Sequence, residues 1–265
     1  SMINIEGNKY PFGGACNKYY NLRYKSKVDV DEYDYVKKRN YLTFEKYAPP
    51  ADIDEKAPTV GINRSFHTYT IYPFYYNFFT KLGFKVVMPS EVKDEGLERE
   101  NASFCYPAQL ALGLFQDLVE MDPDWYFIPG IHEMYVEDKD FHRKDNNCTC
   151  AFLNTEPFYL KAAFKHDHPE LLDKMITPYI NFSHGFGTQE EAFVAVAKRM
   201  GISDENKIRV AYKYAVQMQE DYSIELFRMG ERFLEFLKEN PGKFAIVLTG
   251  RPYNSFTDIA NKGIP

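Results

Sequence analysis

The chain has no basic tract, no long apolar run, few cysteines and a single tryptophan. Its 265 residues carry 32 basic and 38 acidic side chains, a net charge of -6, and the basic residues are not gathered in one stretch. That balance argues against nucleic acid as the main partner. No run approaches the ~18 apolar residues of a membrane span, and no charged-then-apolar leader opens the chain. A cytoplasmic protein without a membrane partner is therefore expected. Four cysteines are too few for a disulfide scaffold in a chain of this length, so thiols or metal ligands are expected instead. A nucleophile elbow and a Walker-type glycine loop are also missing. Their absence argues against an autonomous hydrolase or nucleotidase. No internal repeat or low-complexity segment is evident.

What the chain has in abundance is aromatic side chains, 22 Phe and 21 Tyr, many of them between Tyr69 and Phe79. At helical spacing they read as core packing, with a ligand cage as the alternative. Residues 1–57 read as an N-terminal hairpin around Glu6-Gly7-Asn8 followed by an irregular, charged and tyrosine-rich arm. From residue 58 the pattern alternates. Val60–Asn63 is a strand, Tyr72–Leu82 a helix with Pro73 near its start, and Phe84–Met88 a strand; Pro107–Glu120 is a helix and Trp125–Ile128 a third strand. Glu156–Phe164 reads as helix and Met175–Phe182 as strand. This alternation predicts an α/β fold over 58–187: a three-layer, Rossmann-like parallel sheet wrapped by helices.

Residues 188–265 read as a helical extension leading to a second α/β lobe. Thr188-Gln-Glu-Glu191 has capping-box form, so a helix is expected from there to about Met200. A longer one opens at Ser203 and runs to Leu237. Phe244–Gly250 has the composition of a buried strand, which normally feeds a helix or another strand. Ser1-Met2 reads as a remnant of expression, and the chain as a piece of a longer polypeptide.

The cysteines stand in three contexts. Cys105 precedes Pro107, a residue favoured in the first turn of a helix, so its sulfur is expected beside orphan N–H donors that stabilise a thiolate. A small buried hydrophobe at a strand–helix junction is the alternative. Cys148 and Cys150, one residue apart, would point the same way in an extended conformation and share a metal. With Cys105 they make three ligands, enough for a [4Fe–4S] cluster with one iron left open. Cys16 follows Gly13-Gly14 and resembles half of a metal knuckle, or else a solvent-facing thiol. His132, His142, His166, His168 and His184 surround or follow the cysteine loop, yet their spacings match no zinc motif. Surface or structural roles are expected for them.

Several blocks carry a resemblance: Tyr10-Pro-Phe-Gly-Gly-Ala-Cys-Asn-Lys-Tyr-Tyr-Asn21, Gly61-Ile-Asn-Arg-Ser-Phe66 with Tyr72-Pro-Phe-Tyr-Tyr-Asn-Phe-Phe-Thr-Lys-Leu-Gly-Phe84, Phe104-Cys-Tyr-Pro-Ala-Gln-Leu-Ala-Leu-Gly113, and Gly250-Arg-Pro-Tyr-Asn254 with Asn261-Lys-Gly-Ile-Pro265. In order and over nearly the whole chain, they resemble the domain of unassigned function in the large CoA-substrate-specific enzyme activases, relatives of the 2-hydroxyglutaryl-CoA dehydratase activator. The resemblance implies a dehydratase-like region of an anaerobic, multidomain protein. There, actin-like ATPase modules of the same polypeptide drive a low-potential electron toward an acyl-CoA dehydratase. It implies Cys105, in Phe-Cys-Tyr-Pro, and Cys150, ahead of Glu-Pro-Phe-Tyr-Leu-Lys, as cluster ligands. Cys148 departs from the family pattern, and a further ligand is expected beyond Pro265. Cys16 is implied as one member of a small metal site whose partner precedes Met2. ATP would bind only in the modules this chain lacks, a [4Fe–4S] cluster would belong to the full-length parent, and the piece alone would be inactive. A non-catalytic module docking the ATPase half, and a zinc-stabilised domain, are the competing readings.

Overall fold

Where the hydrophobic period switches between two and about 3.6, the chain switches between strand and helix. The computed structural model describes residues 2–11, 30–100, 105–136 and 147–263. Strands β1 (Met2–Ile5) and β2 (Asn8–Pro11) form the expected hairpin. Glu6 and Gly7 turn it, both at positive φ, as the tight turn of a twisted hairpin requires. Within the arm, the described residues 30–46 are helical. They fold into α1 (Val30–Tyr33) and α2 (Tyr35–Tyr41), and α2 runs into a π-helical turn at Leu42–Lys46. Asp34 caps α2 by accepting from the Lys37 amide at 2.8 Å. Leu42 and Thr43 are buried. The Thr43 hydroxyl meets that of Tyr222 at 2.8 Å, and Lys46 pairs with Glu225. These partners are remote in sequence, so composition alone pointed to a loop.

The central unit contains β3 (Thr59–Ile62), α3 (Thr68–Leu82), β4 (Lys85–Val87), α4 (Asp94–Leu97), α5 (Tyr106–Glu120), β5 (Trp125–Phe127), β6 (Gly130–Met134), α6 (Ala151–Asn154), α7 (Glu156–Phe164), α8 (Leu171–Lys174), β7 (Met175–Ile176) and β8 (Tyr179–Phe182). The order β4-β3-β5-β7 makes a four-stranded sheet, parallel at every pairing. The single strand expected over Met175–Phe182 is two, broken at Thr177-Pro178. Pro129 breaks the neighbouring strand at the same level, since proline has no N–H for the ladder. Bonds from Ile128 N to Ile176 O (3.0 Å) and from Gly130 N to Pro178 O (2.9 Å) carry the pairing across the break, and it resumes as β6 with β8.

Alternation along the strands sorts side chains onto two faces. Val60, Ile62, Phe127 and Ile176 join the core of α3 and the C-terminal helices. Tyr126, Ile128 and Met175 join Leu112, Phe115 and Leu118 of α5 and Leu160 and Phe164 of α7. These are the three expected layers, helices on both sides of a Rossmann-like parallel sheet. The sheet is tightly covered at Gly61, where a Cβ would lie 2.8 Å from Pro123 and 3.0 Å from Leu118 of α5.

Helices α9 (Glu190–Arg199) and α10 (Glu205–Glu239) follow, then the short turns α11 (Pro252–Ser255) and α12 (Asp258–Asn261). The capping box at Thr188 does not form. Its hydroxyl donates to Gly185 O at 2.9 Å, and Arg209 of α10 pairs with Glu190 and Glu191 instead. Asp204, one residue past Ser203, caps α10 by accepting from Lys207 N at 3.0 Å. Helix α3 starts at Thr68 rather than Tyr72, which puts Pro73 inside it. Gln219 of α10, 1% exposed, repairs the weakened ladder by accepting from Phe74 N at 3.3 Å and donating to Thr70 O at 3.0 Å. The proline that disturbs α3 thereby becomes its anchor to α10. Phe244–Gly250, expected as a strand, forms no ladder among the described residues, and Phe244, Ile246 and Val247 are 85%, 81% and 78% exposed. A strand of this composition needs a neighbour to pair with. No described helix is long and apolar enough to cross a membrane.

Candidate functional site

In an open parallel sheet the loops leaving the carboxyl ends of two strands part where the strand order reverses, and a crevice opens between them. Here the chain goes from β3 outward to β4 and then back past β3 to β5. The reversal falls between Asn63-Arg64-Ser65, after β3, and Ile128-Pro129, after β5. A cavity lies there, lined among others by Asn63, Ser65, His67, Tyr75 and Phe127, with Glu156 of α7.

Glu156 is 6% exposed. Its Oε1 accepts from Ser65 Oγ at 2.5 Å and from Asn63 Nδ2 at 3.0 Å. Both donors are neutral. Burial therefore outweighs them and pushes the carboxyl up to about 7, which puts its proton in balance near neutrality. Asn63 is itself fixed, donating to Ala111 O at 3.1 Å while its carbonyl accepts from Thr68 Oγ1 at 2.7 Å. Around this carboxyl, Asn63 Oδ1, both ring nitrogens of His67 and the hydroxyl of Tyr75 are buried without a hydrogen-bond partner. Burial, helped by the charge of Arg251, lowers His67 to about 4 and keeps its ring neutral.

Two of the thiols each open a helix. Cys105 is the N-cap of α5, its carbonyl accepting from Ala108 N at 2.9 Å and Gln109 N at 3.1 Å. Cys150 is the N-cap of α6. Burial pushes its thiol up, but hydrogen bonds from the Phe152 and Leu153 amides, from Arg251 and from Tyr253 prevail and hold it below the usual thiol value. Arg251 also donates to the Tyr253 hydroxyl at 2.9 Å, and the Tyr253 ring packs edge-on against Phe66 at 5.0 Å. Both cysteines pack against the same hydrophobic core. Tyr159 of α7 packs against that core too, and its buried hydroxyl has no hydrogen-bond partner. Burial raises it far above the phenol range, and the fields of Glu156, Cys105, Cys150 and Glu100 add to the effect. The Tyr159 hydroxyl thus stays protonated and able to donate, under the fields of two thiols and a carboxyl.

Cys148 belongs to different surroundings. It is exposed, forms an isolated bridge with Glu133, and lies with His132 and Glu133 so that one ligand atom of each falls within 4.8 Å of the others. Thr149 pins the loop to β6, its amide donating to His132 O at 2.9 Å and its hydroxyl to Ile131 O. Among the described residues Cys105 and Cys150 do not join Cys148 in this single-ion group. Cys148 is held in extended pairing with Glu133, while Cys150, itself extended, opens α6. Cys16 and His142 lie outside the described residues. His166, His168 and His184 enter no such group, and His168 faces Glu170 at 3.2 Å.

Sequence reasoning singled out Cys105 and Cys150 but not Glu156, His67, Tyr159 or Arg251. Nothing in a polar residue heading an apolar helix says that the fold will bury it. The Gly61-Ile-Asn-Arg-Ser-Phe66 and Gly250-Arg-Pro-Tyr-Asn254 blocks were the available signal, and the two meet at this site. Residues 59–265 match the family described as CoA enzyme activase uncharacterised domain. No curated protein and no solved structure matches the chain.

Proposed function

As the chain belongs to the CoA enzyme activase uncharacterised domain family, we propose that it is the dehydratase-like portion of such an activase, with Cys105 and Cys150 supplying thiolates to an iron–sulfur cluster. The observation that supports this reading is that Cys105 and Cys150, remote in sequence, each cap the start of a helix and pack against the same hydrophobic core, with the fields of both reaching the Tyr159 hydroxyl. The donor set suits the group: Cys150 is held toward thiolate by backbone amides and by Arg251, and hydrogen bonds to sulfur are among the features that set a cluster's potential. Such a cluster, when bound, would supply a low-potential electron in ATP-driven transfer. The chain's own groups have definable work. Arg251 and Tyr253 compensate negative charge on Cys150, Tyr159 donates into the site, and Glu156 holds or releases a proton on the crevice floor near neutral pH. The actin-like ATPase modules of the parent polypeptide and an acyl-CoA dehydratase are the proposed partners, in a cytoplasmic, anaerobic setting.

Anaerobic reconstitution with iron, sulfide and excess small-molecule thiol tests the proposal. The wild-type protein should gain the broad visible absorption of a cubane, and Cys105→Ala and Cys150→Ala should each lose it. Equal spectra in wild type and both variants would end the proposal. A second reading, a docking module without chemistry, is favoured by the exposed Phe244, Ile246 and Val247 beside an apolar groove that includes Tyr35, Phe233 and Phe236. It predicts binding to the ATPase modules that is lost on Ile246→Asp and untouched by Cys105→Ala.

A further inference from the structure

Neighbouring residues of a regular strand point to opposite faces, so His132 and Glu133 should not meet. They do, because the register of β6 against β8 shifts between Ile131 and Glu133, where two steps along β6 answer one along β8. A bulge of this kind re-aims side chains, and here it brings His132 Nδ1 to 3.4 Å from Glu133 Oε1. The bridge between Glu133 and Cys148 then delivers a sulfur to the same spot, and all three ligand atoms lie within 4.8 Å of one another. His132 is further positioned by Tyr179, whose ring centroid is 5.7 Å from its own.

We infer that His132, Glu133 and Cys148 form a binding site for a divalent transition metal of the zinc class, separate from the Cys105–Cys150 pair. Zinc bonds of about 2.0–2.3 Å in a tetrahedron put neighbouring ligand atoms roughly 3.3–3.8 Å apart. The nitrogen–oxygen edge already has that length, and the sulfur needs to close by about 1 Å at most, within reach of a side-chain rotation. An imidazole nitrogen, a carboxylate oxygen and a thiolate sulfur together select zinc over calcium or magnesium, which take oxygen ligands. His132 and Glu133 are 39% and 22% exposed in their side chains, so the fourth position opens to water. That is the arrangement of zinc sites that act on a bound ligand rather than of closed structural sites.

Cobalt(II) titration of the protein in air-free buffer reads the site directly, because a thiolate ligand adds a sulfur-to-cobalt charge-transfer band and a tetrahedral ion intensifies the visible bands. One equivalent should bind with both features. Cys148→Ser should abolish the charge-transfer band, and His132→Gln should weaken cobalt and zinc binding roughly tenfold or more. Cys105→Ala and Cys150→Ala should leave the spectrum unchanged, which keeps this result distinct from that of the reconstitution. Cys148 is exposed and His132 partly so, so these variants should retain the wild-type circular dichroism. Binding without a charge-transfer band, a band that persists in Cys148→Ser, a band lost in Cys150→Ala, or no binding at all would overturn the assignment.

Discussion

Replacing Glu156 with glutamine separates the cost of a buried charge from the hydrogen bonds around it. The carboxyl goes from an ordinary value of 4.5 to about 7 on folding, a shift of about 2.5 units, or about 3 kcal/mol at 1.36 kcal/mol per unit. Because the folded value is raised, the native protein holds more protons than the unfolded chain between these two pH values. Glu156 therefore contributes stability that is fully present below pH 4.5 and is lost as pH rises through about 7. Glutamine keeps an oxygen for Ser65 and Asn63 but cannot ionise. Urea unfolding at a series of pH values should give nearly equal stabilities for wild type and Glu156→Gln at pH 4.5. By pH 8 the variant should lead by about 3 kcal/mol. His67, lowered to about 4, works in the opposite sense: its contribution is present above pH 6.5 and lost as pH falls toward 4. It is common to both proteins and cancels in their difference. Parallel stability curves would refute the reasoning, since they would mean that Glu156 ionises as freely in the fold as out of it.

Removing the guanidinium in Arg251→Met should raise the Cys150 thiol toward its ordinary value, so the pH midpoint of its alkylation by iodoacetamide, followed by mass spectrometry, should move upward; an unmoved midpoint would dismiss Arg251 as its stabiliser. Phe74 is fully buried and its ring meets those of Phe182, Phe193 and Tyr212 at 5.9, 5.0 and 5.6 Å, so Phe74→Ala should cost about 3–5 kcal/mol in urea denaturation. Gly113→Ala would put a Cβ 2.5 Å from Val92 Cγ1 and 3.2 Å from Lys93 O and should cost about 1–3 kcal/mol. Gly187→Ala, with nothing within 4 Å, should change stability by less than about 0.5 kcal/mol in the same assay.

The sheet was legible because its strands are short apolar runs between glycine and proline, and Trp125–Phe127 and Lys85–Val87 form within a residue or so of where the pattern puts them. What escaped was decided by partners remote in sequence. Helix α3 reaches back to Thr68 because Gln219, far along the chain, stands in for the bond that Pro73 disturbs. Residues 30–46 become helical because Thr43 and Lys46 find Tyr222 and Glu225. At the site, Cys105 announced itself through Pro107, whereas Glu156 did not, since its chemistry comes from burial that only the assembled α7 and β3 loop impose. Cys148 and Cys150 looked equivalent by spacing, and only the fold shows that Cys148 meets His132 and Glu133 while Cys150 meets Arg251 and Tyr253.

The account rests on Cys105 and Cys150 reaching one place. Treating the native protein with a short bis-thiol reagent such as dibromobimane, then identifying bridged peptides by mass spectrometry, measures that directly. The predicted product joins the Cys105 peptide to the Cys150 peptide and persists in Cys148→Ala. Separate single adducts on Cys105 and Cys150, with no bridge between them in the folded protein, would contradict it.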